Sequence, residues 1–284
     1  MDLSINDKIN SYVTKYYNAY YYLLTAEEGN DFSEQTLSGE ENWINALWFI
    51  MGHLMLRGRN DKLSSYYTEF YKRILEFDKG PAKDQIHKKK LILETFLNSI
   101  KETKESVSLE SIGKGFNIEI GEKKQYRANH KDLRMIHELL GYQIRLVDLG
   151  INNMFDYLVD LIQQSNIIQA YTDLIEIAYV GDKLAAFTLR DIIFLSTKCH
   201  SVKPQICEYQ MLFPVDTWVQ QGGKQLLGID KNNRISPQVF KFKLINIFTK
   251  ETLETDPLSP LKLNAGIWYS FAKNRQEGTL SMIK

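Results

Sequence analysis

Cysteine is scarce: Cys199 and Cys207 are the two in 284 residues. So few exclude a disulfide framework and fit a reducing compartment. Proline is equally sparse, six in all, which leaves long stretches free to form helix. The chain also lacks net charge, with 35 basic and 35 acidic residues, and this argues against a general nucleic-acid coat protein without excluding a local basic face. No apolar run reaches the roughly 20 residues of a membrane span; one of the longest, Ala46 to Leu56, contains His53. Asp2 to Asp7 carries neither the basic nor the apolar region of a secretory signal, so a soluble cytoplasmic protein with no membrane partner is expected.

Hydrophobic residues are plentiful at 44%, with 16 tyrosines, so a compact core is expected. Their spacing of three and four predicts an all-α fold. Ile5 to Leu24 puts Ile9, Tyr12, Tyr16, Tyr20, Leu23 and Leu24 on one face behind a Ser4 cap. Ser38 and Glu41 form a capping-box pattern before a helix over Trp43 to Leu56, whose stripe is Leu47, Trp48, Met51, Leu54 and Met55. Further helices are predicted over Ser64 to Phe77, Gln85 to Ile100, His130 to Leu140, Met154 to Gln164, Ile167 to Ile177 and Leu263 to Lys273. Arg57–Asp61, Asp78–Pro81, Gly222–Gly223 and Asp230–Asn233 read as breaks. Within the polar stretch 101–128, Phe116 to Ile120 alternates and predicts a strand of a small hairpin.

The segment Ile175 to Phe187 reads as helix, tight turn, helix, with Gly181 suited to a left-handed conformation. Backbone N–H groups at such a turn can hold a phosphate without reading base sequence. Downstream, 33 residues after Lys183, Asp216 lies within Phe213-Pro214-Val215-Asp216-Thr217-Trp218-Val219. Read singly, Lys183 is a solvated residue of the second helix and Asp216 the N-cap of a helix starting at Thr217.

Taken together and in this order, these residues resemble the helix-hairpin-helix superfamily of DNA glycosylases, nearest to the 8-oxoguanine type with a long gap between hairpin and aspartate. The family's Val-Gly-x-Lys corresponds to Val180-Gly181-Asp182-Lys183, and its Pro-Val-Asp to Pro214-Val215-Asp216. Ala178 and Tyr179 stand where the family has proline and its first hairpin glycine. The resemblance implies an enzyme that flips a modified base from double-stranded DNA and cleaves its N-glycosidic bond. Asp216 would stabilise the positive charge that develops on the sugar, and Lys183 would be the Schiff-base nucleophile of an accompanying abasic-site lyase. It further implies two helical domains, 43–212 with the hairpin and 1–42 plus 213–284, with the flipped base held in a cleft between them.

Other sites follow by the same resemblance. Tyr179, Val180 and Gly181 would contact DNA, and Arg57, Arg59 and Asn60 would fill the space left by the flipped base. The alternative for the two arginines is to complement a helix C-terminus. Trp218 or Tyr269 would stack on the base in its pocket, or else both are core residues. Cys199, His200 and Cys207 match no common zinc spacing, and two cysteines cannot supply the family's four-cysteine iron–sulfur motif, so no metal or other cofactor is expected. A monomer acting on modified DNA is the expectation, in repair or in defence against phage DNA carrying glucosylated cytosine, where a monofunctional enzyme would suffice. A non-catalytic DNA-binding module and an all-α protein-interaction domain are the readings from other classes.

Overall fold

The computed structural model describes residues 5–26, 32–56, 61–77, 82–103, 106–119 and 127–272. It is predominantly helical, as the three-and-four periodicity requires. In chain order the helices are α1 (Ile5–Ala26), α2 (Glu34–Leu37), α3 (Trp43–Leu54), α4 (Asp61–Ile74), α5 (Ala82–Thr103), α6 (Leu109–Gly115), α7 (His130–Asp148) and α8 (Met154–Gln163). They continue with α9 (Ile167–Ile175), α10 (Asp182–Leu195), α11 (Ile206–Leu212), α12 (Thr217–Leu226), α13 (Pro237–Ile245), α14 (Lys250–Thr255) and α15 (Ser259–Ala272). None of the described helices is long and apolar enough to cross a membrane. The chain divides into two compact units, one of Met1–Thr36, Leu158–Tyr171 and Ala185–Lys284, the other of Leu37–Tyr157 and Thr172–Leu184.

In the first unit α1 lies along α15, with Ile9, Val13, Tyr16, Tyr20 and Leu24 buried at helical spacing. Leu23 is half-buried. The side chain of Tyr12, and Ser4 with the cap expected there, lie outside the described residues. Gly222 and Gly223 do not break the chain as expected; both sit inside α12. A methyl group on Gly222 would come within 2.5 Å of Ile267 on α15, and one on Gly223 within 2.4 Å of Phe240 on α13. The pair is there because three helices approach too closely for side chains. The Asp230–Asn233 turn forms as read, closed by a bond from the Asn233 N–H to the Asp230 carbonyl.

In the second unit α5 packs on α7, which runs eight residues beyond the expected end at Leu140 because Tyr142, Gln143, Ile144 and Leu146 continue its buried face. The Asn129 side chain caps α7 by accepting the Asp132 N–H at 3.0 Å. Trp43 and Trp48 both lie against Phe77, with ring centroids 5.1 and 5.6 Å apart. The capping box read at Ser38 and Glu41 is not formed. Ser38 Oγ donates to Asp156 at 2.6 Å, the Gly39 N–H donates to the same carboxylate at 2.8 Å, and Asn42 takes the N-cap position of α3. A distant carboxylate outcompeted the local pairing.

The strand expected over Phe116 to Ile120 does not form among its described residues, 116–119. Phe116 and Asn117 form the turn that ends α6, with Asn117 left-handed at φ 58°. The antiparallel pair is instead β1 (Val107–Ser108) with β2 (Arg127–Ala128), Val107 facing Ala128. The turn read at Asp78–Pro81 lies outside the described residues.

Candidate functional site

The turn of the hairpin and Lys183 belong to the second unit. Helix α9 ends at Ile175, a turn follows, and α10 begins at Asp182. The left-handed residue of the turn is Tyr179, at φ 67°, and not Gly181. A side chain in that region costs about 1–2 kcal/mol, and the turn is held by other contacts. Ile177 and Val180 are buried beneath it, and the Val180 N–H donates to the Ile177 carbonyl at 3.0 Å. Val180 therefore anchors the turn, and its N–H is committed to the Ile177 carbonyl.

Tyr179 is 43% exposed; its hydroxyl lies 3.3 Å from His130 Nδ1, and the Lys131 ammonium stands 5.9 Å from its ring. Gly181 is exposed. The first turn of α10 leaves N–H groups without intrahelical acceptors, and Asp182 sets a carboxylate beside them. One residue on, half-buried Lys183 donates from Nζ to the Leu56 carbonyl at 3.2 Å. Leu56 immediately precedes Arg57; Arg57, Arg59 and Asn60 lie outside the described residues. Ala185 and Ala186 are fully buried.

Asp216 belongs to the first unit. It is the N-cap of α12, accepting the Val219 N–H on Oδ1 at 2.9 Å. Its other oxygen, Oδ2, accepts from the indole Nε1 of Trp268 on α15 at 3.0 Å. Both carboxylate oxygens are thus held by donors from different elements, which fixes the plane of the group. Trp218, next along α12, and Tyr269, next along α15, are both half-buried.

Joined to the chain two residues before Asp216 is a polar network that the sequence reading missed. Arg190 is fully buried. Its Nε donates to Asp191 Oδ1 at 2.9 Å, Nη1 to Asn264 Oδ1 at 2.6 Å, and Nη2 to the Tyr20 hydroxyl, which in turn donates to Asp191 at 2.5 Å. Burial disfavours the guanidinium charge, but Asp191 and Tyr20 outweigh it and the Arg190 pKa is raised. Burial also raises the Tyr20 phenol well above its ordinary range. Asn264 completes the network by donating from Nδ2 to the Pro214 carbonyl at 2.9 Å. The signal available in the sequence was the adjacent charged pair Arg190-Asp191 between Leu189 and the apolar run Ile192 to Leu195.

No protein-family model matches the chain, and no curated protein or solved structure does either. What carries the resemblance is thus the two local runs around Lys183 and Asp216. The residues weighed for zinc have other partners: buried Cys199 points toward the Val159 carbonyl at 3.9 Å, His200 Nε2 lies 3.3 Å from the Phe194 carbonyl, and Cys207 is exposed. Burial pushes the Cys199 thiol up to about 12.

Proposed function

We propose that this protein is a DNA glycosylase that acts, as a monomer, on double-stranded DNA containing a modified base. The observation that supports this best is the Asp216 carboxylate, oriented through both oxygens directly after Pro214-Val215. Loss of a base leaves positive charge on the deoxyribose, and a preoriented carboxylate stabilises that charge without reorganising. The exposed Tyr179 and Gly181, at a turn leading into the N-terminus of α10, suit contact with a phosphate backbone.

In the bifunctional form, the neutral Lys183 amine bonds to C1′ as the N-glycosidic bond breaks and the base leaves with the amine's proton; the C1′–O4′ bond of the resulting aminal then opens with protonation of O4′, and the Schiff base so formed loses a C2′ proton and expels the 3′-phosphate. The monofunctional form, with water as nucleophile, is favoured by one observation: Lys183 already donates to the Leu56 carbonyl and must release it before attacking. Duplexes carrying 8-oxoguanine or glucosylated hydroxymethylcytosine, assayed for abasic sites with and without borohydride, test both forms. A covalent adduct lost in Lys183→Ala marks the bifunctional enzyme, and abasic sites without an adduct mark the monofunctional one. Asp216→Asn keeps a good N-cap yet should slow excision by about 100- to 1,000-fold. No abasic sites on any duplex, with no salt-sensitive DNA binding, overturns the reading.

A further inference from the structure

We infer that Arg190 and Asn264 are positioning residues that set the Asp216 carboxylate for its role in base release; the inference rests on the glycosylase reading for what that carboxylate does. Two routes run from Arg190 to Asp216. Along the first, arginine has no acceptor, so the Asn264 amide must turn Oδ1 toward Nη1 and is left with Nδ2 toward the Pro214 carbonyl. Proline fixes its own φ, so holding its carbonyl constrains the chain two residues before Asp216.

Along the second, the guanidinium lies over the rings of Phe187 and Tyr20, at 4.4 and 4.7 Å from their centroids. Both rings meet Trp268 edge-on, at 6.0 and 5.8 Å, and Trp268 donates to Asp216 Oδ2. One buried cation thus holds the backbone before Asp216 and the indole that bonds its carboxylate. An arginine needed only for packing has no reason to lock an amide whose other end holds the approach to that residue.

Asn264→Asp separates position from packing. An aspartate still accepts from Arg190, but its second oxygen faces the Pro214 carbonyl and cannot donate. The first readout needs no DNA: the indole N–H resonance of Trp268 in a nitrogen-15 spectrum. It should move toward the free-indole position in Asn264→Asp, and also in Asn264→Leu, which removes the bonds without adding charge. The second is single-turnover excision on whichever duplex the wild-type protein cleaves, where the rate should fall about 10- to 100-fold with duplex affinity unchanged. An unmoved indole resonance in a folded variant overturns the inference, and so does failure of both variants to fold, which would make Asn264 a residue of stability alone. If the wild-type protein cleaves no duplex while the resonance moves as expected, the glycosylase reading fails and the positioning of Asp216 stands.

Discussion

The indole N–H of Trp268 donates to Oδ2 of Asp216 at 3.0 Å while Oδ1 caps α12, so the carboxylate that the sequence singled out has a structural duty and an oriented second oxygen at once. Trp268→Phe tests the second without disturbing the first. The phenyl ring keeps edge contact with Tyr20 and Phe187, so stability should fall by about 1 kcal/mol, the ordinary net value of one hydrogen bond. Base excision should fall by a larger factor, about 10-fold or more, if orientation matters to the reaction. Thermal melting together with single-turnover kinetics measures both, and equal small losses in the two would remove the case for an oriented carboxylate.

Gly222 and Gly223 give a stability prediction whose sign runs against helix propensity. In an exposed helix, alanine is favoured over glycine by about 1 kcal/mol. Here the added methyl meets Ile267 and Phe271, or Phe240 and Leu244, at 2.4 to 2.9 Å. Overpacking of that kind costs typically about 1–3 kcal/mol. Each single substitution to alanine should therefore lower the melting temperature, and a rise in either would show that α12, α13 and α15 are not packed as described.

The two thiols should differ in reactivity. Cys207 is exposed, whereas Cys199 is buried with its thiol pushed up to about 12 by that burial. A thiol-reactive chromophore at neutral pH should titrate one group in the native protein and two in denaturant. Two fast-reacting thiols without denaturant would contradict the packing of Cys199 against Val159.

Much of the helical architecture was legible because its cause is local. The stripes on α1 and α3 are set by apolar spacing, and the turn at Asp230–Asn233 by its own composition. What was misread depended on partners far along the chain. Ser38 bonds Asp156, 118 residues away, in place of the nearby Glu41. Gly222–Gly223 looks like a break until the neighbouring helices are in place. At the site, Asp216 as a helix cap could be read from Thr217 onward, but its bond to Trp268 spans 52 residues. The Arg190–Asn264 bond spans 74, and no short pattern encodes such a pair. At the hairpin, the left-handed position fell on Tyr179, whose hydroxyl and ring meet His130, 49 residues away, a partner that the local preference for glycine does not reveal.

A last prediction concerns acid. His137 on α7 is 7% exposed, and neither ring nitrogen has a hydrogen-bond partner among the described residues. Burial, then the neighbouring Lys90 and Arg134, lower its pKa, opposed by Glu138 and Glu94. In the unfolded chain the imidazole takes up a proton near its ordinary pKa of about 6.5. Because the folded value is lower, the unfolded state binds more protons below that pH, so this histidine's contribution to stability is present above about 6.5 and lost as pH falls through the folded value. His137→Met fills similar space without a titrating group. Melting temperatures of the wild-type protein should fall more steeply between pH 7 and 5 than those of the variant, by a few degrees. Parallel curves would mean that Glu138, whose Oε1 lies 3.6 Å from Nδ1, stabilises the protonated ring enough to cancel the effect of burial.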